Sequence, residues 1–177
     1  MSYFTESMLQ NYAQDFQKNQ YARTNIVIER ASAQKTIFLS HSHKDKVLVR
    51  GLINYLATLG IAIYVDWNDT DMPRITNQIT ANKIKDKIRE NSFFLILATD
   101  NAMISRWVPW EIGVADQMKT SERMAMIPVV HSSDTEFKGN EYLKLYRCIR
   151  LYNINQIKIF EAASDYQYSN VTDWLRS

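Results

Sequence analysis

The chain has 177 residues, room for one ordinary α/β domain and a terminal extension, and at this length folding buries roughly two-thirds of the unfolded surface. Hydrophobic residues make up 46%, which excludes a disordered chain, and 4 Gly with 3 Pro exclude a collagen-like or linker-rich one. Lys and Arg total 21 against 19 Asp and Glu, so the net charge of +2 lacks the basic excess of a dedicated nucleic-acid binder.

The first 34 residues read as a helical extension with a connector, and residues 35–177 as the main domain. Phe4, Met8, Tyr12 and Phe16 recur every fourth residue, with Leu9 and Ala13 beside them. That spacing predicts an amphipathic helix, and its stripe is too apolar for a lone helix in water. The stretch 23–35 has no clear period, apart from a short extended piece at Ile26-Val27-Ile28. From Thr36 strands and helices alternate. TIFLS (36–40) predicts a strand. Leu48, Leu52, Leu56 and Leu59 share a helix face that ends at Gly60, a C-cap residue. IAIYVD (61–66) predicts the second strand, and WNDTDMPRIT (67–76) a polar loop broken by Pro73. Ile75, Ile79, Ile84 and Ile88 hold near-helical spacing, and the interleaved Lys83, Lys85, Lys87 and Arg89 form its solvated face. FFLILAT (93–99) is apolar on both faces, as a central parallel strand is. A helix runs on to about Lys119. MAMIPVV (124–130) predicts a fourth strand, and Pro128 points to an edge position or to that strand's end. CIRLY (148–152) or IKIF (157–160) supplies a fifth, and Val171–Leu175 a last helix.

This alternation implies a flavodoxin-like three-layer sandwich: a mostly parallel sheet of four or five strands with helices on both faces. Ligands bind such sheets beyond the carboxyl ends of the strands, where the strand order reverses. Two segments therefore converge, Ser40-His41-Ser42-His43-Lys44-Asp45 and Asp100 to Glu111.

Glu111 is the residue of most interest. It shares a helix stripe with Trp107, Val114, Ala115 and Met118, so it is a carboxylate within an apolar face. Burial there favours its neutral form or a specific partner, as suits acid, base or cation-stabilising chemistry. A helix-start charge, favoured by the helix dipole near Pro109, is the structural alternative. In the loop 40–45, His41, His43 and Asp45 have the residue types of a metal site, and a serine (Ser40 or Ser42) with a histidine and Asp45 has those of a nucleophilic triad. The simpler reading is a polar loop whose Ser or Asp caps the next helix. Asp66, Asp69 and Asp71 lack the Gly of an EF-hand loop, and no phosphate-binding Gly-rich motif is present. Cys148 is the lone cysteine, so an intrachain disulfide and a four-Cys zinc site are excluded. No apolar run approaches the ~20 residues of a membrane span. MSYFTESMLQ has neither the basic nor the apolar region of a signal peptide. A cytoplasmic protein is expected.

FLSHSHKD (38–45), YVDWNDTDMP (64–73), FFLILAT (93–99) and SRWVPWEIG (105–113) stand in the order seen in bacterial TIR (Toll/interleukin-1 receptor) domains. The resemblance covers roughly residues 35–135, and its most specific element is Trp107-x-x-x-Glu111. Val108 stands where many relatives carry Cys. The resemblance implies an enzyme that cleaves NAD+ at the nicotinamide–ribose bond, with Glu111 catalytic. Phe38, Ser40, His41, Trp67 and Trp107 would line the substrate site. NAD+ would be the substrate, with no cofactor and no metal. The product would be ADP-ribose or a cyclic ADP-ribose-type signal, in anti-phage defence of the Thoeris type. Self-association through TIR contacts and a downstream effector sensing the nucleotide product are implied partners. The alternative from another class is a noncatalytic TIR–TIR interaction module assembling through the loop 66–76.

Overall fold

The computed structural model describes residues 1–18, 36–61 and 78–177. The expected second strand, the acidic loop with Trp67, Ile75 and the extended piece at 26–28 lie outside the described residues.

β1 (Phe4–Thr5) leads directly into α1 (Glu6–Lys18). Thr5 Oγ1 accepts the Met8 N–H at 3.2 Å and so caps the helix. The helix thus begins after Phe4, which the four-residue stripe had placed inside it. β2 (Ile37–Ser40) runs into a 3-10 turn over His43–Asp45 and then α2 (Lys46–Thr58). α2 ends as its sequence predicts. Gly60 takes φ 73°, its N–H reaches the Ala57 carbonyl, and the Ile61 N–H reaches that of Leu56. These are the two bonds of a Schellman cap. α3 (Gln78–Glu90) buries Ile84 and Ile88 but leaves Ile79 exposed, so the stripe covers less of this helix than its spacing suggested. β3 (Phe93–Ala98) is buried along its whole length, as expected of a central strand. The expected single helix to Lys119 is two: α4 (Asp100–Met103) and α5 (Val108–Met118). β4 (Met124–Val130), β5 (Arg147–Asn153), β6 (Gln156–Phe160) and β7 (Tyr168–Asn170) come next, with α6 (Val171–Trp174) last.

Among the described residues the sheet has seven strands, in the order β2-β3-β4-β5-β6-β7, with β1 also on β4. β2, β3, β4 and β5 pair in parallel, and β6 and β7 add antiparallel strands at one side. The mostly parallel α/β sandwich is as expected, but the strand count exceeds four or five. CIRLY and IKIF are both strands, and β1 is too short to carry a period. β4 is not an edge. Pro128, opposite Ala98, falls between the stretch paired with β5 (Ala125, Met126) and the stretch paired with β1 (Val129, Val130). A residue without an N–H is tolerated at such a change of partner.

The strand alternation divides the core in two. Ile37, Leu39, Phe93, Leu95 and Leu97 face α1 and α2. Phe94, Ile96 and Ala98, with Phe38 beside them, face α3 and α5. α1 packs on α2. Leu9 is fully buried, Tyr12 and Phe4 meet the Tyr55 ring edge-on, and Asn54 Nδ2 donates to the Tyr12 carbonyl at 2.9 Å. The helices approach so closely at Gly51 that a Cβ there would fall on the Leu9 carbonyl. Ala is the better helix former by about 1 kcal/mol. Gly51→Ala should nonetheless destabilise the protein by about 1–3 kcal/mol, because the clash is with backbone. Thermal unfolding checks this, and a variant melting at or above the parent temperature would contradict the close approach.

Candidate active site

Parallel pairing brings the carboxyl ends of β2 and β3 side by side, with Ser40 opposite Ile96 in register. The segments leaving the two strands therefore meet at one edge of the sheet. Ser40 is 1% exposed and points to the same side of the sheet as α5. α5 starts at a defined place because Ser105 Oγ accepts the N–H groups of Trp107 and Val108, and Pro109 lies in the first turn. Glu111 comes one turn later, and its N–H bonds the Trp107 carbonyl at 2.8 Å.

The Ser40 hydroxyl donates to Glu111 Oε2 at 2.5 Å. The two expected segments thus converge through the residue singled out from the sequence. Burial pushes the Glu111 carboxyl up to about 7, against a smaller downward pull from the Ser40 hydrogen bond. The residue keeps some exposed surface, so it is the carboxyl end that is desolvated. The expected stripe needs one correction. The buried face of α5 is Val108, Ile112 and Ala115, and Met118 is exposed. Glu111 lies at the border of that face, where its side chain reaches the end of β2.

Phe38 is two residues before Ser40 on the same face and stacks on Phe94 at 5.4 Å with the rings within 5° of parallel. Trp107 packs against the same core side and meets Trp110 edge-on at 5.2 Å. Phe38, Ser40, Trp107 and Glu111 thus share one side of the sheet. His41 is next after Ser40, and its Nδ1 donates to the Leu39 carbonyl at 3.0 Å, since a carbonyl only accepts. Burial lowers its pKa. Its ring is 6.5 Å from that of His43. Among the described residues no three His, Cys, Asp or Glu gather as a metal site requires. Trp67 lies outside the described residues.

The loop after β2 also holds what sequence reasoning missed. Ser42 Oγ accepts the Lys44 N–H, so a serine does cap the turn. Asp45 heads α2 but makes no cap bond. It is 2% exposed and accepts from Thr99 Oγ1 at 2.5 Å and from Asn101 Nδ2 at 2.7 Å. Thr99 Oγ1 in turn accepts the Ala102 N–H and caps α4. Thr99 before Asp-Asn-Ala is a legible cap, but nothing local pairs it with a residue 54 positions earlier.

A separate cleft of about 190 Å³ lies beyond the carboxyl end of β4, lined among others by Glu6, Asp100, His131 and Asp134. His131 bridges Glu6 at 2.9 Å and Asp100 at 3.2 Å, and the charge of Glu6 is the main reason its pKa is raised. Four carboxylates line this exposed cleft, so it suits an anionic dinucleotide poorly. The desolvated carboxylate beside Ser40 is the better chemical candidate.

A mostly parallel sheet with helices on both faces, whose connecting segments meet beyond the carboxyl ends of β2 and β3, is an α/β sandwich of the kind a TIR domain forms. The TIR domain family matches residues 37–162, and the chain belongs to that family. A Bacillus cereus (strain MSX-D12) protein described as a probable 3' cyclic ADP-D-ribose synthase, ThsB', is 30% identical over 99% of both chains. A putative cyclic ADP-D-ribose synthase of Cytobacillus dafuensis, TIR2, is 29% identical over 46% of this chain and 22% of its own length. No helix of the described residues is long and apolar enough to cross a membrane.

Ser40→Ala removes the one bond that favours the charged form of Glu111. The Glu111 midpoint, followed by carboxyl-labelled NMR, should therefore move above the parent value of about 7. A midpoint unchanged by the substitution would contradict the pairing.

Proposed function

We propose that this protein is an enzyme that cleaves the nicotinamide–ribose bond of NAD+ and joins the ADP-ribose so released into a cyclic signal in anti-phage defence. The observation that carries the reading is the desolvated Glu111 carboxyl held by Ser40 at the ligand-binding edge of the sheet. The cyclic outcome accords with the descriptions of the two relatives.

Breaking the bond between ribose C1' and the nicotinamide nitrogen sends the electron pair to the ring and neutralises its positive charge. C1' is left with oxocarbenium character. A carboxylate beside it, out of bulk water, stabilises that charge and hydrogen-bonds the ribose hydroxyls. Glu111 takes this role. Trp107 walls the site against water, and Phe38, Ser40 and His41 form the side that belongs to β2. A hydroxyl of the same molecule then attacks C1' and gives up its proton, so NAD+ yields nicotinamide, a cyclic product and a proton. Attack by water instead yields ADP-ribose. Nicotinamide leaves from a ring already charged, so NAD+ is the substrate and the reaction needs no further cofactor. Such a protein would work in the cytoplasm, where its effector would read the product, and contacts between TIR copies would complete its assembly.

The noncatalytic alternative explains Glu111 less well. A carboxyl shifted from 4.5 to about 7 favours folding only while it is protonated. That contribution is full below about 4.5 and is lost as pH rises through about 7, a difference of roughly 3 kcal/mol. A scaffold has no use for such a cost, whereas active sites commonly carry one.

Three outcomes are expected. Glu111→Gln should lower NAD+ turnover by a factor on the order of hundreds or more. It should melt higher than the parent at pH 8, because it removes the buried charge. The parent kcat/KM should rise with pH through about 7 and then level, since the ionised form is the active one. A Glu111→Gln protein that turns over NAD+ at the parent rate would sink the mechanism.

A further inference from the structure

We infer that Asp45 is a positioning residue for the Glu111 site, clamping the loop that carries Ser40 to the segment that leads into the helix of Glu111. The inference rests on the NAD+-cleaving reading for its kinetic arm and on geometry alone for its structural arm.

Side-chain contacts at two places join the end of β2 and the turn after it to the segments that follow β3. One is Ser40 to Glu111. The other is Asp45 to Thr99 and Asn101, with one carboxylate oxygen on each partner. The second makes the first reproducible. Ser40 ends β2, and only four residues separate it from Asp45, where α2 begins. Thr99 directly follows β3 and caps α4, and two residues after α4 ends comes Ser105, whose hydroxyl starts α5. A displacement at Thr99 is thus passed along a short segment to Glu111. A bond of 2.5 Å between Ser40 and Glu111 tolerates little displacement before it is lost.

The residue types at the clamp are matched. The Thr99 hydroxyl receives the Ala102 N–H, which leaves its own proton for an acceptor. Asn101 offers its amide protons. Asp45 supplies two acceptors and no donor in its ionised form, which is what the pair requires. An Asn at 45 would turn an amide group toward one of two donors, and one bond would fail. The carboxylate makes no cap bond to α2. A buried carboxylate is costly to keep, so its full use in a cross-link 54 residues long is its structural justification.

The test compares the parent with Asp45→Asn, Thr99→Val and Thr99→Ser. Thr99→Val keeps the shape and loses the hydroxyl, and Thr99→Ser keeps the hydroxyl. Asp45→Asn and Thr99→Val should lower kcat/KM for NAD+ on the order of tenfold to a hundredfold, as misplaced groups do. Their acid limb should move to higher pH, because Glu111 loses the hydroxyl that favours its charged form. Thr99→Ser should restore both. A loss of activity matched by loss of folded protein, with the acid limb in place, would reduce Asp45 to a structural role and overturn the inference. Parent-like activity in Asp45→Asn would overturn it as well. Should Asp45→Asn fail to fold, Asn101→Ala removes one of the two bonds and carries the same expectations. If the parent itself does not turn over NAD+, the proposed function fails and the inference is still decided by carboxyl NMR. The Glu111 midpoint should then rise in Asp45→Asn and in Thr99→Val, and an unmoved midpoint in both would overturn the clamp.

Discussion

The hydrogen bond from Ser40 to Glu111 joins the end of β2 to the first turn of α5 in a partly buried place where the carboxyl is desolvated. Several features of the surrounding structure combine to make that contact. The parallel register of β2 and β3 brings the segments that leave them to one edge. The alternation along β2 turns Phe38 and Ser40 toward α5 while Ile37 and Leu39 fill the opposite core layer. The double acceptance by Ser105 starts α5 at the residue that places Glu111 one turn in. Desolvation holds the carboxyl near neutrality, and the serine holds it to one orientation.

The N-terminal segment is built into the same body. β1 pairs in parallel with the end of β4, Ser2 bridges Leu151, and α1 covers α2 through Gly51, Asn54 and Tyr55. Its first helical residue, Glu6, meets His131, which also meets Asp100 at the start of α4. The extension is therefore linked through His131 to the segment that Asp45 clamps. Helix, histidine and aspartate support one stretch of chain, residues 99–101, from several directions.

Much of this was legible in the sequence. Alternation of apolar runs and helical stripes is a direct record of which face each element buries, so the layered α/β fold could be read from it. The convergence of the 40–45 and 100–111 segments came from that topology, and Glu111 stood out because an acid near an apolar stripe needs a reason. What was not legible is equally physical. β1 has two residues, too few for any period, and its strand character comes from pairing with β4. Pro128 reads locally as an edge residue, yet the sheet accommodates it where β4 exchanges one partner for another. The stripe through Met118 mistook the border of a helix face for its centre. Asp45 read as a cap because caps are local, whereas its partners lie across the sheet edge.

Purified protein at high concentration, incubated with NAD+ and resolved by chromatography with mass detection, should release nicotinamide. In equal amount there should be a product lighter than ADP-ribose by one water, since an internal hydroxyl and not water closes on C1'. NAD+ recovered intact from protein shown to be folded would contradict the central claim.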